Sequence, residues 1–192
     1  MDNPLTPELP RTAGDWIATY TGRKWYITNP RAEDVCIEDI AHHLSLICRY
    51  GGACREFYSV AEHSVRMTEE LERHSNDVQL LFWCLLHDAA EAYLGDMVRP
   101  LKLSIPAYRD LEFVTEIVVM EGLKLPDPTV ERRKIVKEMD DILLMTERRD
   151  LVNHCGHEWT PRAEPLTGRI SPWSPTAAEH RFLATYYYLT SL

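Results

Sequence analysis

The 192-residue chain is long enough for one domain, and its 45% apolar content supplies a full core without disulfides or a structural metal. Its formal net charge of −9 repels a nucleic-acid backbone, which excludes polymer binding while leaving room for a small anionic substrate in a locally positive pocket. Five cysteines with no C-x-x-C pair argue against a secreted disulfide framework, and no apolar run approaches the roughly 18 residues of a membrane span, so the expectation is a cytoplasmic protein without signal peptide or anchor.

Residues 1–14 hold three prolines and little periodic apolar pattern, and read as an arm over the surface. Trp25-Tyr26-Ile27, bounded by Gly22-Arg23 and Asn29-Pro30, suit an extended segment or half of a short hairpin. Helical spacing of Ile40, Leu44 and Ile47 predicts a first helix over 37–50, stopped by Gly51-Gly52. Ser59-Val-Ala-Glu62 is a capping box that opens an amphipathic helix to about residue 72. Asp77 caps the next helix, whose Leu80–Leu86 run is apolar nearly all round and therefore central, and Gly95 ends it. Pro106 starts a helix over 106–122, Pro128 one over 128–152, and Ser174-Pro175 a last one over 176–189. A long irregular loop, 153–173, lies between the last two. The fold class expected is all-α: a single-domain irregular bundle of about six helices.

His87-Asp88-Ala-Ala-Glu91 places three ionisable groups in the most apolar helix, where they are costly to bury unless paired or bound to metal. At about 100° per residue they fall within one arc, so an imidazole and a carboxylate converge on one ion while Glu91 faces the same cavity. Further ligands must come from other helices, and His63 and Asp140 are the candidates; Asp141 points towards solvent, and Glu147, on the same face as Asp140, is either a supporting partner of the ligands or a solvated carboxylate and is left outside the site. His154, Cys155 and His157 read as loop surface, since nothing completes a second cluster.

The order His63, His87-Asp88, Asp140 resembles that of the HD-domain phosphohydrolases. The likeness covers about residues 40–150 and includes the strings Ile40–Ser45 (IAHHLS), Phe57–Ser64 (FYSVAEHS) and Leu86–Asp96 (LHDAAEAYLGD), which are similar to the 5′-deoxynucleotidase branch. The resemblance implies a single divalent ion held by those four residues, with Glu91 or Asp96 moving a proton or orienting water. Two imidazoles favour a transition metal (zinc, cobalt or manganese) over magnesium, which is a further option alongside the substrate phosphates. Of the available cations Arg49, Arg55, Arg99 and Lys102, the resemblance favours Lys102 and Arg49 as phosphate contacts, with surface salt bridges as the alternative.

The Trp25–Ile27 segment, with the first two strings, also resembles the phage dATP triphosphohydrolases. That likeness implies Trp25 stacked on adenine, Ile27 crowding the place of a 2-amino group, and dATP cleaved while 2-aminoadenine nucleotides are spared; the alternative for the segment is a hydrophobic clip. His42 is either a sugar or phosphate contact or a helix-surface histidine. The partner expected is a small nucleotide, with neither nucleic-acid polymer nor membrane. The aromatic last helix either faces a second subunit in a homo-oligomer or closes the core. Two readings compete: a general nucleoside monophosphatase or other small phosphate ester hydrolase, and a non-catalytic metal-stabilised binding module.

Overall fold

A computed structural model of the protein describes residues 14–160 and 162–192; the arm expected over 1–14 lies outside them apart from Gly14. The chain opens with strands β1 (Trp16–Ala18) and β2 (Lys24–Tyr26), paired antiparallel with Ile17 opposite Trp25. The inward position of β2 is Trp25, which is fully buried. The hairpin is pinned to α1 (Ile37–Leu46) by the buried Asp39 carboxylate, which accepts from the Thr21 backbone N–H at 2.6 Å and its hydroxyl at 2.9 Å.

The helices that follow are α2 (Val60–Glu72), α3 (Val78–Leu86), α4 (Glu91–Leu94), α5 (Arg99–Ser104), α6 (Pro106–Gly122), α7 (Val130–Leu151) and α8 (Pro175–Thr190). All six expected helices are present and the fold is an all-α bundle. None among the described residues is long and apolar enough to cross a membrane. Side-chain caps set several starts: Ser59, Asp77 and Ser174 accept from Glu62, Leu80 and Ala177 backbone N–H groups. Only half of the expected capping box forms, because Glu62 turns to Arg66 and to the Trp173 backbone instead of back to Ser59. α7 begins at Val130 with Thr129 as its cap, so Pro128, expected in the first turn, lies just ahead of the helix.

Two boundaries differ from the sequence reading for tertiary reasons. The first helix stops at Leu46, since Ile47 and Cys48 turn extended to pair with the approach to α2; Val60 N–H donates to Ile47 O and Arg49 N–H to Tyr58 O. The apolar helix stops at Leu86, and residues 87–90 form a tighter turn before α4, with Ala89 N–H donating to Leu86 O and Glu91 N–H to Asp88 O.

α3 is buried along most of its length and packs against α2, α7 and α8. α8 lies across α1 and α2 and closes the core with Ala178, Phe182 and Leu189. The loop after α7 is held to the bundle: Asp150 accepts from Ile170 N–H at 2.9 Å, and the Arg66 and Arg181 guanidinium groups both lie over the Trp173 ring.

Candidate metal centre

His63 lies in the first turns of α2, fully buried, its helix start anchored by Ser59. Its Nδ1 is 2.6 Å from Glu147 Oε1 in α7, a carboxylate with no exposure. His87, at the end of α3, places Nδ1 2.8 Å from the Cys84 carbonyl oxygen. In both rings Nδ1–H donates to that oxygen, which turns Nε2 towards the interior with its lone pair available to a metal.

Both Nε2 atoms are buried and without a hydrogen-bond partner among the described residues. Two carboxylates stand beside them: Asp88 Oδ2 lies 3.2 Å from His87 Nε2 and 3.9 Å from His63 Nε2, and Asp140 Oδ1 lies 3.4 Å from His63 Nε2. Ligand atoms about 2.1 Å from a tetrahedral ion sit about 3.4 Å from one another. Atoms of His63, His87 and Asp88 all fall within 4.8 Å of one another; Asp140 lies outside that group of three and approaches it through His63 alone. The donor set therefore fits a first-row divalent ion, since two imidazole nitrogens that make no hydrogen bond among the described residues each face a carboxylate oxygen.

The charges around the cluster agree. Burial drives the Asp88 and Asp140 carboxyls up, but the neighbouring imidazoles and Arg49 outweigh it and hold both well below the usual carboxylate range. Burial and Arg49 push His63 down, yet Glu147 and Asp140 bring it to about 9, so without a metal the cage retains a proton in its place. Arg49 bridges the ligands from outside, its Nε 3.2 Å from Glu147 and its Nη1 3.5 Å from Asp88. Tyr50 also donates to Glu147, from a backbone at φ 59° that non-glycine residues seldom adopt.

Across from the ligands sits Glu91. The turn at 87–90 has three-residue periodicity, which brings positions i and i+3 into line, so Asp88 and Glu91 face the same side although the segment is not the continuous α-helix expected. Burial, then Asp88 and Asp96, push the Glu91 carboxyl well above its ordinary value; its Oε2 is buried without a partner, and Oε1 lies 3.6 Å from Lys102 Nζ. Burial also raises Asp96, half-buried within electrostatic reach of Arg49, Asp88, Lys102 and His63. A cavity of about 550 Å³ opens beside this group, bordered by His87, Asp88 and Glu91 on one side and by α6 on the other.

No family model matches the chain. It is 35% identical over 181 residues to the uncharacterized protein YfdR of Escherichia coli (strain K12), across 92% of this chain and 97% of that protein. The chain belongs to the YfdR family. It is also 41% identical over 95 residues to an uncharacterized protein of Rhodobacter capsulatus, across 47% of this chain and 48% of that one.

In this YfdR-family chain the structure gathers His63, His87, Asp88, Asp140, Glu91, Asp96, Arg49 and Lys102 at one place. It does not bring Trp25, Ile27 or His42 there. Trp25 is in the core, its ring face stacked on Tyr93 at 3.7 Å, as a hydrophobic clip requires. Ile27 packs against the same core. His42 stacks on Tyr20 and pairs with Glu179 of α8 at 3.1 Å. Asp141 is half-buried rather than solvent-directed, because Lys137 bridges it to Asp140. Glu147, for which the sequence offers a supporting partner of the ligands or a solvated carboxylate, takes the supporting place, buried against His63.

Proposed function

We propose that this YfdR-family protein is a divalent-metal-dependent phosphohydrolase of the HD-domain type acting on deoxynucleotides. The observation that carries the reading is the pair of orphaned Nε2 atoms, on His63 and His87, facing Asp88 and Asp140 in that chain order. A divalent ion held by these four would polarise a phosphoryl oxygen and make water a better nucleophile at neutral pH.

The chain's own groups supply the rest. Glu91, whose carboxyl burial pushes well above its ordinary value, would supply a proton to a leaving oxygen, and Asp96 stands near enough to share proton traffic or orient water. Arg49 and Lys102 add fixed positive charge on either side of the ligand cluster, offsetting the carboxylates that would otherwise repel a phosphate. Glu91 distinguishes the reading from a structural metal site, which has no use for a buried proton-holding carboxyl beside it. The dATP-selective form of the proposal rests on the resemblance of the Trp25–Ile27 segment alone, since the Trp25 stack on Tyr93 leaves that ring no open face at the centre.

The test is to load the protein with manganese, cobalt or zinc and incubate it with the four deoxynucleoside triphosphates, 2-aminoadenine triphosphate and the adenine mono- and diphosphates, separating products by chromatography. Metal-dependent loss of deoxynucleotide is expected, and His87→Ala should lower it by more than about 100-fold, the upper range for disturbing a ligand's supporting group. Equal turnover of all monophosphates would point to a general nucleotidase. Tight metal binding without hydrolysis of any nucleotide would overturn the proposal in favour of a binding module.

A further inference from the structure

The cavity beside the metal centre has a second wall that the chemistry above does not use. Pro106, Arg109, Asp110, Phe113 and Glu116 recur at helical spacing along one face of α6 and line the cavity opposite His87, Asp88 and Glu91. A helix face turned towards its own domain normally carries buried apolar residues. Here Arg109 and Asp110 are exposed and Phe113, an aromatic residue on the cavity's border, is 52% exposed. Glu116 is held by Arg133 at 2.8 Å and Glu112 by Lys102, whereas no other side chain engages Asp110 among the described residues. Glu91, a side chain more than nine-tenths buried whose Oε2 has no hydrogen-bond partner among the described residues, borders the same cavity.

The volume, about 550 Å³, lies within the range of about 300–1,000 Å³ typical of small-molecule sites. Glu112 and Glu116 are compensated by Lys102 and Arg133, which leaves Asp110 as the acceptor open to a group that carries N–H donors. An exposed aromatic ring beside a free carboxylate suits a planar base with an exocyclic amine.

We infer that the α6 face of this cavity seats the base of the substrate, stacked on Phe113 with its amino group donating to Asp110, and that the enzyme thereby prefers amino-bearing nucleotides to thymine nucleotides. The inference rests on the proposed phosphohydrolase reading and names its substrate class. Adenine, cytosine and guanine each present an exocyclic amine; thymine presents carbonyl oxygens there, which a carboxylate repels.

The experiment uses the metal-loaded full chain with dAMP, dCMP, dGMP and dTMP and the matching triphosphates, in wild type, Phe113→Ala and Asp110→Asn. Both side chains are exposed, so their replacement leaves the core intact, and thermal denaturation with metal titration verifies this for each variant. In the wild type, KM for thymine nucleotides should exceed that for the others by about tenfold. Phe113→Ala should raise KM for the amino-bearing substrates by about tenfold, the low end of what a base stacked on an aromatic ring contributes. Asp110→Asn should narrow the gap between thymine and the rest. Turnover with KM indifferent to Phe113→Ala, or a change confined to molecular mass in solution, would overturn the base site and leave the phosphohydrolase reading standing. If the wild type turns over no nucleotide, calorimetric binding of dAMP decides: binding that Phe113→Ala abolishes supports the base site without the activity, and no binding overturns both.

Discussion

Glu147 is the residue on which the orientation of the proposed metal centre depends. It holds His63 Nδ1–H, and Arg49 and Tyr50 hold Glu147 in turn, so the imidazole that presents Nε2 is fixed from three directions. Replacing it with glutamine keeps the shape and an acceptor oxygen but removes the charge. Glu147→Gln is expected to weaken metal binding by about 10- to 100-fold, measured by calorimetric titration. Its effect on pH dependence separates orientation from mere packing. Without metal, the His63 charge is favoured in the folded protein up to about 9, so that contribution is complete below the ordinary histidine range and lost as pH rises through 9. Metal binding runs the opposite way: it displaces that proton, and affinity should rise with pH to about 9 and then level off. In Glu147→Gln the plateau should move to lower pH, because a charge that holds the proton has gone. An unchanged profile would show that Glu147 only fills space.

At the scale of elements, α6 must stand at a set distance from the 87–91 turn for the cavity to exist. Its far end is placed by a close approach. Gly122 lies against the short 3₁₀ turn at Ala32–Asp34, and a Cβ there would meet the Ala32 carbonyl oxygen and the Val35 Cβ at 2.6 Å each. The atoms in the way are backbone and the root of a side chain, so relief requires moving an element. Gly122→Ala is expected to destabilise the protein by about 1–3 kcal/mol in chemical denaturation, as overpacking does. Equal or greater stability would mean that the turn shifts freely. The break after Leu86 belongs to this scale too. It aligns Asp88 with Glu91 in a tighter turn and frees the Cys84 carbonyl to orient His87.

For the whole molecule, the centre joins three distant parts of the chain: α2, the turn after α3, and α7. An ion bound there stabilises the folded state and not the unfolded one, by about 2.7 kcal/mol at a free concentration 100 times its Kd. For a chain of this size that corresponds to a rise of roughly 5–10 °C in Tm. Thermal scans with cobalt and with excess chelator should show this difference, and His87→Ala should abolish it; an equal Tm in both conditions would contradict a metal centre. The protein should stay folded without the ion, since its core runs through α1, α2, α3, α7 and α8 independently of the ligands. Much of this was legible in the sequence. Apolar spacing and the caps at Ser59, Asp77 and Ser174 determined the helices, because both act within a few residues. His87-Asp88 stood out because ionisable groups are costly in an apolar helix. What only the tertiary structure decided lies between residues far apart in the chain: Glu147 meets His63 across 84 positions and Arg49 across 98, which makes that carboxylate a buried support. By sequence Trp25 suits either a base platform or a hydrophobic clip, and the Tyr93 ring against it favours the clip; exposed Phe113 borders a cavity only because α6 is set opposite Glu91. Periodicity tells which face of an element is apolar; what that face meets is set by packing.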